Sequence, residues 1–317
     1  MTTRRSFIAA AGAFAATGAA AEEETPLPPQ RGIRVRFLGS GAAGWKPEWL
    51  EKHPCMRRQS SVLLEGKVLI DFTECAFDMI PEGCRPEALF QTHSHGDHYS
   101  PKAAVKSGVK RMYVHETWLA AAKSAVAAAA AKLELPAPEV MPVSFGVPVE
   151  ECGLRIMPIP ANHSTSRVTD GVLERTALYL VEKGPSRLLY ATDTGGIMGD
   201  AARMAGIDPH ITAGNYMNYI KSGTCVAEPK AITALVMEAT DADFDDDFRM
   251  FVHSSVQVVH RTVEMLKRYG RFTPPEGQPA YITHLGLKYR DWSAEMIDAE
   301  LPEGLCAASD GLEIVLG

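Results

Sequence analysis

Lysine and arginine never run longer than two in this chain of 317 residues, and 32 of them stand against 39 acidic residues for a formal charge of −7. Long nucleic acid needs a broad basic surface for its phosphates, so it is excluded as a partner. No apolar stretch has the length of a membrane-spanning helix. The alanine-rich segment from Ile8 to Ala16 is short and only mildly apolar, and no stable membrane insertion is expected. Cysteine is sparse, with six residues at positions 55, 75, 84, 152, 225 and 306. Cys75 and Cys84 are the most local pair, but no bridge is assigned, because buried thiols can stay free. The run Asp241-Ala242-Asp243-Phe244-Asp245-Asp246-Asp247 lacks the glycine and terminal glutamate of an EF-hand calcium loop and reads as a solvated acidic loop.

Residues 1–21 read as an export signal. Thr3-Arg4-Arg5-Ser6-Phe7-Ile8 resembles the twin-arginine consensus, and Ala19-Ala20-Ala21 offers small residues for cleavage. No cysteine lies nearby to carry a lipid anchor. The mature protein is therefore expected in the periplasm or outside the cell, exported folded by the twin-arginine route. Residues 22–32 then form a linker and residues 33–317 one domain. Length alone allows one large domain or two smaller ones; candidate ligands spread over most of the chain argue for one domain with a shared cleft. Helices are clearest over residues 116–133, ended by Pro136-Ala137-Pro138, and over residues 254–269.

The densest chemistry lies in Thr92-His93-Ser94-His95-Gly96-Asp97-His98-Tyr99-Ser100, which follows an apolar stretch around residues 88–90. If residues 87–92 form a strand, His93 and His95 project to one side of an extended chain and reach one ion. Gly96 lets the backbone turn, so Asp97 and His98 point elsewhere and serve a second ion. For two histidines alone, a histidine-rich surface loop is the better reading; four ligand-type residues in this order point to a metal site. Imidazole and carboxylate suit zinc, iron, manganese or nickel, and no cysteine joins the cluster.

His93-Ser94-His95-Gly96-Asp97-His98 resembles the His-x-His-x-Asp-His signature of the metallo-β-lactamase fold superfamily. The resemblance spans roughly residues 33–317. It implies an α/β fold, a four-layer αββα sandwich with metals at one edge, and further ligands after later strands. His163, Asp193 and His284 stand at those places, after apolar stretches at residues 154–159, 187–191 and 279–283. By resemblance, one metal takes His93, His95 and His163, the other takes Asp97, His98 and His284, and Asp193 bridges. His53, His115, His210 and His260 match no motif and are read as structural.

Glu238-Ala239-Thr240, followed by His253-Ser254-Ser255, resembles paired segments of ribonuclease Z and related phosphodiesterases. The resemblance gives Glu238 the role of orienting His253, which then donates a proton to the leaving oxygen or stabilises the transition state. Met237 departs from the histidine that ribonuclease Z commonly has there. The alternative is that His253 caps the helix expected from Ser254. The segments at residues 34–43 and 57–64 resemble cyclic phosphodiesterases linked to phosphonate breakdown and the pyrroloquinoline-quinone biosynthesis protein B. Those relatives often have a cysteine-rich zinc insert between the two segments; with Cys55 alone, a metal-free insert is expected here.

Two divalent ions, zinc first with manganese or iron as alternatives, held about 3.5 to 4 Å apart, bring a bridging water toward a pKa of about 7 and make it the nucleophile. Asp97 counts among both the ligands and the catalytic groups. The expected function is a dinuclear metal-dependent hydrolase acting on a small anionic substrate, a phosphodiester. The alternative is a lactone, lactam or thioester hydrolase of the same fold, with Tyr99 or Tyr216 near the carbonyl; a non-catalytic metal-binding protein comes third. Lys288 and Arg290 are candidate phosphate donors, with an ordinary solvated loop the simpler reading. Substrate-pocket walls are expected in loops 42–57, 164–175 and 212–230. Nothing in the sequence sets the oligomeric state.

Overall fold

The strands read as unbroken apolar runs because both of their faces are buried. In Leu188-Leu189-Tyr190-Ala191, Leu188 and Tyr190 join one core cluster while Leu189 and Ala191 join another, the alternation that a pleated strand imposes. A computed structural model describes residues 32–49, 52–53, 55–169, 171–197, 230–240, 252–268 and 270–317. The export segment, nearly all of the linker, the acidic run at residues 241–247, His210, Tyr216, Cys225 and all but the last residue of loop 212–230 lie outside the described residues.

One sheet comprises β1 (Ile33–Gly39), β2 (Ser61–Leu64), β3 (Val68–Ile70), β4 (Ala88–Phe90), β5 (Arg111–His115), β6 (Glu139–Val143) and β16 (Glu313–Leu316), ordered β16-β1-β2-β3-β4-β5-β6. The other comprises β7 (Val149–Glu151), β8 (Leu154–Pro160), β11 (Ala177–Lys183), β12 (Ser186–Ala191), β13 (Ala234–Glu238), β14 (Ala280–Thr283) and β15 (Leu305–Ala307), ordered β15-β14-β13-β12-β11-β8-β7. The two halves are built alike. Antiparallel pairing runs from β16 to β3 and from β7 to β12, and parallel pairing runs from β3 to β6 and from β12 to β15. Between β8 and β11 a small hairpin, β9 (Val168–Thr169) with β10 (Val172–Leu173), fills part of loop 164–175.

Val35, Phe37, Phe90, Tyr179 and Tyr190 meet between the sheets. The outer face of the first sheet packs Leu69, Leu89 and Met112 against α1 (Pro101–Ser107) and α2 (Leu119–Leu133). The second sheet packs Leu180, Leu189, Leu235 and Ile282 against α3 (Val256–Arg268) and α4 (Ala294–Glu300). The layers are helix, sheet, sheet, helix, the αββα sandwich that the resemblance implied. Helix ends follow local chemistry. The expected helix at 116–133 opens as a 3-10 turn over Glu116–Trp118 and becomes α-helical at Leu119. It stops at Leu133, with Glu134 left-handed (φ 54°) ahead of Pro136. Ser255 caps α3 by accepting a hydrogen bond from the Val258 amide at 3.3 Å, so His253 is not the cap.

The two sheets are tied at one edge by buried Glu151 of β7. It accepts two 2.7 Å bonds from Arg111 and one of 2.8 Å from the Tyr113 hydroxyl, both in β5. The Arg111 hydrogen bonds hold its carboxyl down at about 2 against an ordinary 4.5. A depressed folded-state pKa contributes stability that is complete above pH 4.5 and lost as pH falls toward 2. Wild type is therefore expected to exceed Glu151→Gln by on the order of 1 kcal/mol at pH 6, discounted for the solvent at Arg111, with the gap closing by pH 2. Urea unfolding at both pH values checks this; a gap of equal size at pH 2 contradicts it.

Candidate metal centre

Every candidate ligand follows the carboxyl end of a strand, where open α/β sheets place their sites. His93, His95, Asp97 and His98 follow β4, His163 follows β8, Asp193 follows β12, Glu238 ends β13 and His284 follows β14. The strand before His93 is shorter than expected, Ala88–Phe90, and both His93 and His95 lie beyond it.

The side chains converge in two groups. His93, His95, His163 and Asp193 form one; Asp97, His98, Asp193 and His284 form the other, with Asp193 common to both. In the first, His93 Nε2 lies 2.9 Å from His95 Nδ1, His163 Nε2 lies 3.4 Å from His95 Nδ1, and Asp193 Oδ2 lies 3.3 Å from His93 Nε2. In the second, His98 Nε2 is 3.2 Å from His284 Nε2 and 3.3 Å from Asp97 Oδ2, while Asp193 Oδ1 is 2.9 Å from His284 Nε2. Ligands about 2.0 to 2.1 Å from a tetrahedral ion are separated by about 3.4 Å, so these spacings fit a cation inside each group. Asp193 Oδ1 is buried, and its 2.9 Å approach to His284 Nε2 lacks the geometry of a hydrogen bond, as expected of two groups that face a common cation.

Electrostatics favour the same occupant. Burial penalises charge on Asp97 and Asp193, yet His98 and His284 outweigh it and hold both carboxyls below their usual range. Burial and neighbouring His98 push His93 down to about 3. His284 is driven up to about 10, against burial, by Asp193 and Asp97. The carboxylates are thus balanced by protons on His98 and His284, positive charge that a cation would replace, while His93 stays neutral and free to coordinate.

Partners missed in the sequence orient these rings. Buried Asp71 contacts His98 Nδ1 at 2.7 Å and accepts from the Thr92 amide at 2.8 Å and from its hydroxyl. The Thr92 hydroxyl in turn contacts His93 Nδ1 at 2.9 Å, the Val252 carbonyl accepts from His163 Nδ1 at 3.1 Å, and the Thr240 hydroxyl contacts His284 Nδ1 at 2.7 Å. In each case Nδ1 is engaged and Nε2 faces the centre, the arrangement that fixes a metal-binding tautomer. Asp71, Asp193 and His284 have left-handed backbones, with φ of 54°, 47° and 53°, a strained state that clusters at functional sites. The Ser94 amide and hydroxyl donate to Glu174, and Arg167 donates to the same hydroxyl at 2.8 Å, pinning loop 164–175 beside His95.

Glu238 and His253 meet as the motif suggested. His253 Nδ1 lies 3.0 and 2.9 Å from the two carboxylate oxygens of fully buried Glu238. The His253 ring centre lies 5.0 Å from that of His163 and 5.8 Å from that of His284. Asp193, Glu238, His253 and His284 are also close enough to form a third possible ligand group. Both Glu238 oxygens are already engaged, by His253, the Thr194 amide and the Thr240 hydroxyl, so the pair reads as a hydrogen-bonded relay. Burial opposes protonation of His253, but Glu238 prevails and raises its pKa.

A cavity of about 520 Å³ opens over the centre, walled by Ala43, Gly44, His95, His253 and Lys288 among others. Trp45 anchors the wall at residues 42–49, its indole donating to the Leu285 carbonyl at 2.8 Å. Arg290 lies near Asp291 and does not line this cavity. Tyr99 packs on Trp118, its hydroxyl buried without a partner, and does not line this cavity. Cys55, Cys75, Cys84, Cys152 and Cys306 are free thiols.

The family model for the beta-lactamase superfamily domain matches residues 80–271. None of the curated proteins compared with the chain matches it. Among solved structures, the fold is similar to the short form of human tRNase Z, with 15% identity, a TM-score of 0.57, and 90% of this chain and 99% of that one covered. It is also similar to zinc-bound PqqB from Methylobacterium extorquens, with 18% identity, a TM-score of 0.55, and 89% and 99% covered. A diphosphatase of the PhnP family is similar at 19% identity and a TM-score of 0.52, with 90% and 100% covered.

Proposed function

The chain belongs to the beta-lactamase superfamily domain family and is a metal-binding hydrolase of that fold; we propose that it is a dinuclear phosphodiesterase acting on a small anionic substrate. His93, His95 and His163 would hold one cation and Asp97, His98 and His284 the other, with Asp193 common to both groups. Zinc is the first choice of metal, as in the zinc-bound PqqB structure, with manganese or iron as alternatives. Divalent cations at these positions supply the Lewis acidity that activates water and polarises a phosphoryl group.

The observation that carries the reading is the contact of His253 with both oxygens of Glu238, beside the ligand groups. Glu238 fixes His253 Nδ1 and leaves Nε2 to give a proton to a leaving alkoxide, a step that a phosphodiester needs. Asp97, on the cavity wall, would hold its cation and accept a hydrogen bond from the attacking water. Lys288, on the same wall, supplies charge for a phosphate oxygen. The structural likeness to a tRNase Z and to a PhnP-family diphosphatase is consistent with phosphoester chemistry. We also propose that residues 1–21 direct export by the twin-arginine route to the periplasm or beyond.

The test is metal analysis of the purified protein together with turnover of bis(4-nitrophenyl) phosphate, a lactone and a cephalosporin. The expected result is two metal ions per chain and turnover of the phosphodiester above the other two by at least about a hundredfold. Turnover confined to the lactone or the cephalosporin would replace this reading with the carbonyl-hydrolase one.

A further inference from the structure

A second cavity, of about 480 Å³, adjoins the one over the metal centre, and Lys288 lines both. Its floor is apolar. Val256 and Ile297 are buried, and the rings of Tyr289 and Trp292 stand at 83° with centres 6.1 Å apart. Two aromatic walls at that angle receive a flat ring by stacking on one and meeting the edge of the other. Arg261 and Lys288 also line the cavity, and cations above an aromatic face are attracted to it.

The cavity's direction is set by α3. Val256, Gln257, His260 and Arg261 line it, and His253, in the segment that leads into α3, lines the neighbouring cavity over the metal centre. The cavity that holds the proton donor proposed above and this one share Lys288 as a common wall.

Resting on the phosphodiesterase reading, we propose that this cavity receives the leaving alcohol of the substrate, and that this alcohol is a flat aromatic group. Hydrolysis forms a P–O bond to water and breaks the P–O bond to the aryl alcohol. His253 gives the proton that the departing oxygen takes, and the proton released by water restores it. The products are a phosphomonoester over the metal centre and an aryl alcohol in the cavity, against Trp292.

Two readouts test this on the metal-loaded protein. In the first, the dissociation constants of 2-naphthyl phosphate and methyl phosphate are measured by calorimetry. In the second, kcat/KM is compared for methyl 2-naphthyl phosphate and methyl 2,2,2-trifluoroethyl phosphate. Both use the wild type, Trp292→Ala, and Gln257→Trp, whose exposed position lets the new indole fill the cavity mouth without disturbing the core. Comparing each variant with wild type cancels the intrinsic difference between leaving groups. Wild type is expected to prefer 2-naphthyl phosphate by at least about tenfold, and each variant to lose most of that preference in both readouts. Unchanged preference in two folded variants overturns the proposal. If wild type hydrolyses neither diester but binds 2-naphthyl phosphate selectively, and the variants lose that selectivity, the aromatic subsite stands and the phosphodiesterase reading falls.

Discussion

Asp193→Asn is expected to strip the protein of bound metal and to lower kcat/KM by at least about a thousandfold. Asparagine is the informative substitution because Asp193 is left-handed, with φ of 47°, a conformation that asparagine adopts more readily than alanine. The backbone therefore stays, and only the charge goes. Asp193 Oδ2 lies 3.3 Å from both His93 and His98 and 3.7 Å from His163, while Oδ1 reaches His284. One carboxylate thus serves both ligand groups, and its loss weakens both at once, whereas His163 or Asp97 stands in only one. Metal content after dialysis, activity, and melting with and without chelator measure the effect. Wild type should melt lower with chelator, since an ion bound only by the folded state stabilises it; the variant should be indifferent. A variant that keeps two ions and a rate within about tenfold of wild type would remove Asp193 from the bridge.

Much of this centre is legible in the chain because its parts are local. Gly96 between His95 and Asp97 separates four ligand-type residues into two directions, and the structure groups His93 with His95 and Asp97 with His98. The fold is legible for a related reason. Strands such as Leu188-Leu189-Tyr190-Ala191 and Ala234-Leu235-Val236-Met237 are apolar at every position, which demands cover on both faces and hence a layered sandwich.

What escaped notice depends on distant approach. Thr92 and Asp71 are 21 residues apart, and Thr240 and His284 are 44 apart; each is an ordinary residue until the fold sets it against an imidazole. Asp71 did carry a faint signal, since it directly follows the apolar β3 as Asp193 follows β12 with one residue between. Glu174 and Arg167 carried none, and their role arises only when loop 164–175 folds back on Ser94. The start of α3 shows the limit of boundary reading. Ser254 and Ser255 are equally good caps by residue type, and the choice falls to Ser255 because the Ser254 hydroxyl donates to the Thr194 carbonyl at 2.9 Å.

His253→Ala tests the proton relay, and its effect should depend on the leaving group. A 4-nitrophenolate departs without help, whereas an aliphatic alkoxide needs a proton as the P–O bond breaks. The variant should lose at least about a hundredfold in kcat on a diester with an aliphatic leaving alcohol, and markedly less on bis(4-nitrophenyl) phosphate. Metal content should be unchanged, because the relay reading places His253 Nδ1 on Glu238 and not on a cation. Each failure has its own meaning. Equal losses on both substrates would make His253 a stabiliser of charge on the phosphoryl oxygens. Loss of an ion would make it a ligand within the third group, with Asp193, Glu238 and His284. Glu238→Gln separates orientation from charge: its carbonyl oxygen still accepts from His253 Nδ1, but no anion remains to raise the imidazole's basicity. If charge is what matters, Glu238→Gln should lie closer to His253→Ala than to wild type on the aliphatic diester, and closer to wild type on the nitrophenyl one.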